Sequence, residues 1–249
     1  MRLKSAFILS SVVFSSVLPL LADENLKPPA KTTTTQRIDF VPAGEIHVKA
    51  SRGDLYVEAW DQPVVEFSVT KFMPFEYEPG QPQRSMQQLD AVKVMPEQPK
   101  PGELNIDTTA AARRELWWPP TWGPNRNPVR LEYHIYVPRA SRLDIHHGIG
   151  LVSVSGVTGD IRATCHRGDI VLWLPESGNY AIDARNKFGK VSSDFAGRSK
   201  ERFLVGQKFA NANASPAQRI YLRMGFGGIT LKPILPESEA NGGPSSPAK

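Results

Sequence analysis

Very little of the usual chemistry of enzymes is present in this chain of 249 residues. It has one cysteine, Cys165, so no disulfide can form within it. It has five histidines, and none falls in a zinc-ligand spacing. No glycine-rich phosphate loop, dinucleotide fingerprint or Gly-x-Ser-x-Gly elbow occurs. These gaps exclude the recognisable nucleotide-dependent and serine-hydrolase classes, and no cofactor is expected. Helix signals are almost lacking too; the best, Arg84 to Ala91, is short. With no disulfide, stability must come from core burial and backbone hydrogen bonds. Cys165 itself reads as a small buried residue.

Charge is also unremarkable. Thirty Lys and Arg against 25 Asp and Glu give a net +5. The N-terminus has the pattern of a secretory leader. Arg2 and Lys4 precede an uncharged run from Ala6 to Leu21, and Leu20 and Ala22 occupy positions −3 and −1 of a cleavage site. Removal of residues 1–22 would leave +3, which makes no case for nucleic acid as a partner. No later run is apolar enough to span a bilayer as a helix. The expected destination is the periplasm, the cell surface or the medium.

Strand signals fill the rest. Short apolar–polar alternations, punctuated by Gly, Pro, Asn and Asp, predict an all-β domain over residues 36–233. Residues 23–35 read as a flexible linker, and 234–249, rich in Pro, Gly and Ser, as a disordered tail. Residues 72–128 hold ten prolines and read as an insertion on the β scaffold. Within it, Ala91–Met95 and Glu103–Thr108 are expected to pair as a hairpin.

A repeated phrase organises the domain. Gly53, Gly150, Gly159, Gly168, Gly189 and Gly227 each open a short apolar alternation, four times as Gly-Asp or Gly-Gly followed by Ile or Leu. Such spacing predicts a solenoid-like, β-helix-like stack, with a β-sandwich as the alternative. Stacking would place Ile161, Ile170, Leu172, Ile182, Val191 and Ile229 in one interior. Glycine would serve the corners, and the aspartate after it would cap its own turn.

The block Leu143-Asp-Ile145, Gly150-Leu-Val-Ser-Val-Ser-Gly-Val-Thr-Gly-Asp-Ile161 and Arg167-Gly-Asp-Ile-Val-Leu172 resembles the bacterial "putative adhesin" β-strand repeat family. The likeness covers about Leu131 to Ser193. Arg52, Arg167 and Phe188 replace the asparagine usual before the family's corner glycines. The resemblance implies an exported stack of short strands and no enzyme activity.

The candidate binding residues lie in two places. Trp117, Trp118 and Trp122, set among prolines, offer flat rings for a sugar or membrane surface, or a cap over the end of the stack. From Arg185 to Arg223 the chain carries nine basic residues and two acids, among them Arg185, Lys187 and Lys190. On a stack these would concentrate positive charge. The expected function is a non-catalytic, adhesin-like binding or scaffold protein of the cell envelope, with a polysaccharide or another protein as partner. A polysaccharide-active enzyme using Asp160 and Asp169 is one alternative, and a self-assembling structural protein another. The histidines His47, His134, His146, His147 and His166 read as polar turn residues, so no metal site is expected.

Overall fold

The computed structural model describes residues 31–72, 89–90, 92–109, 129–202, 206–211, 213 and 215–234. The leader 1–22, most of the linker, the tryptophans 117, 118 and 122 and the tail from residue 235 lie outside them. The described chain is nearly all β, in one mixed sheet of fourteen strands that does not close into a barrel. No helix among the described residues is long and apolar enough to cross a membrane.

The strands are β1 (Lys31–Asp39), β2 (Glu45–Arg52), β3 (Asp54–Trp60), β4 (Val64–Phe72), β5 (Lys93–Lys100), β6 (Glu103–Thr109) and β7 (Arg130–Pro138). They continue as β8 (Arg142–Ser155), β9 (Ile161–Pro175), β10 (Tyr180–Phe188), β11 (Val191–Ser193), β12 (Arg198–Arg202), β13 (Gly206–Asn211) and β14 (Gln218–Ile234). β1 reaches into the threonine-rich stretch read as linker. Threonine suits a pleated strand, and the Thr33 and Thr35 hydroxyls bond to Thr70 and Ser68 on β4. The hairpin in the proline-rich segment forms as β5 and β6; β6 is as expected to within a residue, while β5 starts at Lys93 and runs five residues past Met95. Its prolines Pro96 and Pro99 lie on β5, which pairs only with β6.

The middle of the sheet is a parallel stack of bent strands. The pairs β2–β3 and β10–β11 behave like the single long strands β8, β9 and β14, each having two limbs joined at a glycine. First limbs pair in the order β2, β8, β9, β14, β10. Second limbs pair as β3, β8, β9, β14, β11. Parallel neighbours normally need a long crossover. Here residues 156–160 suffice between β8 and β9, because the second limb is itself the return path. The stack does not follow chain order: β14 inserts between β9 and β10. That departs from a stack built by successive units, since β14 fills the rung that β9 and β10 leave between them.

The corner glycines form one column. Gly150 lies opposite Gly168, and Gly168 opposite Gly227. All have positive φ: 117° at Gly53, 138° at Gly150, 129° at Gly168, 133° at Gly227 and 138° at Gly189. A Cβ on Gly168 would lie 2.0 Å from the Gly150 carbonyl oxygen, and one on Gly227 1.6 Å from that of Gly168. Both demands admit glycine alone. Gly159 differs: it lies in the turn before β9, against the Ser141 carbonyl.

Inward side chains from both limbs share one core. It includes Ile161, Ile170, Leu172, Ile182, Val191 and Ile229, each no more than 5% exposed. At the corner the inward row, Ala50, His147, Cys165, Met224 and Asn186, mixes apolar and polar side chains. Asn186 donates to the carbonyls of Gly227 (2.6 Å) and Lys190 (3.1 Å). Two rungs along, past Met224, the Cys165 thiol faces the carbonyls of Gly150 (3.7 Å) and Arg167 (3.5 Å). Burial pushes that thiol up to about 11, so it is inert as a nucleophile at neutral pH. His147 holds the same place beside Gly53 and Ile149. Its two ring nitrogens lack a hydrogen bond of good geometry, and burial holds its basicity below the ordinary value. The Gly53 and Ile149 backbone only partly offsets this.

Two measurements follow from the corner. Gly168→Ala should cost at least about 3 kcal/mol in urea unfolding, because strain and a backbone clash combine. Gly102→Ala should cost about 1 kcal/mol. Its φ is also positive, at 84°, but a Cβ there meets nothing closer than 3.8 Å. Equal losses would remove the close approach as the cause. The second concerns His147, whose folded-state affinity for a proton is depressed. The unfolded chain therefore takes up that proton first, and stability falls as pH drops below about 6.5. His147→Asn supplies the donor that Asn186 uses without titrating, so its urea midpoint should fall less between neutral and mildly acidic pH. An unchanged pH slope would show that His147 contributes nothing to it.

Candidate binding face

Strand pairing decides which outward side chains become neighbours. On the first limbs, one transverse row reads Lys49, His146, Thr164, Arg223, Arg185, Lys208, Lys200. Every member except His146 and Thr164 is a cation, and no carboxylate interrupts it. At a strand spacing of about 4.8 Å the row spans roughly 29 Å. Arg185 and Arg223 both grip Asp183 of the neighbouring row, at 2.8 and 3.2 Å from its Oδ2. Burial would raise the Asp183 carboxyl, but the hydrogen bonds from Arg185 and Arg223 outweigh it and hold it below the usual range. Two guanidinium groups on one carboxylate leave a net positive charge. Among the described residues no carboxylate pairs with Lys208 or Lys200.

The row next to it has two glycines at its centre. Gly148 and Gly225 flank His166 on adjacent rungs, and a Cβ on either would collide with a neighbour's carbonyl, that of Ser51 at 2.1 Å or His166 at 2.3 Å. The result is a trough along the stack. A hollow of about 420 Å³ opens in it, lined by His146, Gly148, Thr164, His166, Arg223 and Gly225, with His147, Cys165 and Met224 beneath. Lys187 continues this row on β10.

The far wall of the trough is the corner ridge: Arg52, Ile149, Arg167, Phe226, Phe188. Strand alternation would turn these residues inward, but the bend sends several consecutive side chains outward. Phe226 is 41% exposed and Phe188 37%. Their rings stack at 4.6 Å and 10°. Arg167 lies over Phe226 at 5.9 Å, and the Lys187 ammonium over Phe188 at 5.5 Å. Nothing in the alternation pattern distinguished these phenylalanines from core residues; a Phe directly before a corner glycine was the available signal.

The other sequence candidates resolve as follows. Arg185 and Lys187 share one outward strand face, while Lys190 lies just past the corner, its carbonyl accepting from Asn186 and from the Ile229 N–H. Asp160 and Asp169 are braces between rungs. Asp160 Oδ1 accepts from the Arg219 N–H at 2.8 Å, and Asp169 Oδ1 from that of Gly228 at 2.9 Å. Asp54 does the same for Leu151 at 3.0 Å. Each caps its neighbour on the next rung rather than its own turn. Between Asp160 and Asp169 run the seven first-limb residues of β9, about 23 Å of strand. Glycosidase carboxyls sit about 5–9.5 Å apart. The two Arg-Gly-Asp tripeptides use the same geometry: arginine on the ridge, glycine at the corner, aspartate as brace.

The histidines lie on strands rather than in turns, and three of them, His146, His147 and His166, line the hollow without converging on a metal position. His146 faces Asp144 at 3.4 Å and His47 faces the same carboxylate at 3.6 Å, while His134 bonds Glu132 at 2.8 Å. Among the described residues no group of three or more His, Cys, Asp or Glu converges as a metal site.

No family model matches the chain, and no curated protein does. Three solved structures share parts of its outline. One, a "putative cell adhesion protein" from Clostridium sporogenes, is 14% identical, covers 83% of this chain and 100% of its own, and superposes with a TM-score of 0.49. A "putative adhesin" from Bacteroides fragilis is 13% identical over 83% of this chain and 99% of its own, with a TM-score of 0.24. A "putative lipid binding protein" from Parabacteroides distasonis is 10% identical over 82% and 97%, with a TM-score of 0.22. Likenesses of this size assign neither a family nor a ligand.

Proposed function

We propose that this is a non-catalytic, exported binding protein of the cell envelope that holds a polyanionic ligand on the basic face. The observation that carries the reading is the transverse row Lys49–His146–Thr164–Arg223–Arg185–Lys208–Lys200, whose last four members set cations on four neighbouring strands with no acid among them; beyond Lys49 the row meets Asp107. Like charges opposite one another destabilise a sheet. A chain of phosphates or carboxylates laid across the strands would relieve that repulsion at every rung. Export rests on Arg2, Lys4 and the uncharged run that follows. The bent, stacked strands serve as a solenoid-like scaffold whose regular spacing repeats the contact. The braces made by Asp160 and Asp169 support a structural rather than a catalytic role for both.

Pelleting with insoluble carboxymethyl-cellulose and phosphocellulose, against neutral cellulose, tests this. Binding should be confined to the acidic polymers and weaken steeply with salt. Lys200→Gln with Lys208→Gln should lower affinity about five- to tenfold at low salt. Binding that ignores salt and this pair would sink the proposal. Asp160→Asn with Asp169→Asn keeps both acceptor oxygens and should bind as before. Reducing-sugar release from an acidic glycan, abolished in that double variant, would restore the enzyme reading.

A further inference from the structure

We infer that the ligand of this face is the surface of an anionic lipid layer, with the corner ridge as the element that enters it. This rests on the polyanion reading above and names the source of the negative charge.

The reason lies in how the ridge rings are held. A ring that binds sugar needs a free face. Phe226 is packed on several sides, by Phe188 at 4.6 Å and 10°, by the Arg167 guanidinium at 5.9 Å and by the His166 ring at 6.0 Å. Phe188 is covered by Phe226 on one side, and the Lys187 ammonium lies 5.5 Å from its ring. What the pair offers to solvent is its apolar edges. Ile149 lies on the same ridge, 40% exposed, two rungs from Phe226 with Arg167 between them. Apolar edges interleaved with Arg167 and Lys187 on a convex bend have the chemistry of a headgroup boundary: hydrocarbon accepts the edges and lipid phosphates accept the cations. The parallel basic row lies one trough away, where the headgroups beside an inserted ridge would come. A polysaccharide would use the row but gain nothing from the ridge.

The experiment is vesicle co-sedimentation of the whole exported chain. One set of vesicles is phosphatidylcholine alone; the other mixes it with phosphatidylglycerol at roughly three to one. The protein should pellet with the mixed vesicles and stay in solution with the neutral ones. Phe188→Ser with Phe226→Ser should lower partitioning about tenfold or more, yet leave pelleting with phosphocellulose unchanged. That retained pelleting also shows that the variant is folded. Phe188→Leu with Phe226→Leu keeps apolar edges and should bind vesicles as the parent does. Arg167→Gln with Lys187→Gln should weaken binding to the mixed vesicles at least tenfold, since each cation near an anionic surface is worth roughly fivefold. The inference falls if the parent ignores the mixed vesicles, or if the serine pair binds them as tightly as the parent. Phosphocellulose binding in the face of either result would leave the polyanion reading intact. Vesicle binding that needs the phenylalanines, without polymer binding, would overturn that reading alone.

Discussion

A backbone carbonyl occupies the space where the next rung's Cβ would be, and most of this molecule follows from that contact. Gly227 approaches Gly168, and Gly168 approaches Gly150, more closely than any side chain permits. The bend this allows brings the two limbs of each strand over one core, so a short turn can join parallel neighbours. It also breaks the alternation of side chains. Between the inward Cys165 and the inward Ile170, the residues His166, Arg167 and Asp169 all face solvent. The ridge therefore exists because of the corner.

The bend has its own cost in unpaired carbonyls, and three of the five rungs answer it with a polar side chain, each differently. Asn186 supplies two well-placed amide bonds, Cys165 one weak donor, and His147 a buried ring with no good partner. Net hydrogen-bond contributions are about 1 kcal/mol, whereas a buried unsatisfied group costs about 1–3 kcal/mol. By that measure the rung of His147 is the least well satisfied of the three. Outside the bend, the aspartates stitch rung to rung from the solvent side. Asp54, Asp160 and Asp169 each hold a backbone N–H of the neighbouring strand.

Much of this was legible in the amino-acid sequence, for a physical reason. A corner that only glycine can occupy leaves a glycine at every rung, and at Gly53 and Gly168 the aspartate that follows is the brace; the third Gly-Asp, at Gly159, marks a turn instead. The core residues were equally plain, since alternation holds along each limb. Alternation fails at the corner itself, so it did not place Phe188 and Phe226 on the outer face. Strand order was hidden as well: β14 resembles a last repeat, yet pairs between β9 and β10. The basic surface was visible as composition, but not which cations align. Arg185, a candidate contact from the sequence, is braced with Arg223 on Asp183, whereas Lys208 and Lys200 meet only through pairing across β12 and β13.

That pairing bears on why the face is built as it is. Two unit charges about 5 Å apart repel by roughly 1 kcal/mol even in water. The backbone holds the stems of Lys208 and Lys200 at that kind of separation, so their charges can part only by splaying the side chains, and Arg185 beside Lys208 shares Asp183. The hydrophobic core does not require this arrangement: inward neighbours such as Ala184 and Phe209 would pack the same beneath neutral outward residues. The repulsion is thus a cost of the native sheet that burial alone does not explain. A ligand that neutralises the row binds the folded state and not the unfolded chain, whose cations are dispersed. It must then stabilise the fold by mass action as it binds. The same registry that makes the unliganded face costly makes it selective for extended negative charge.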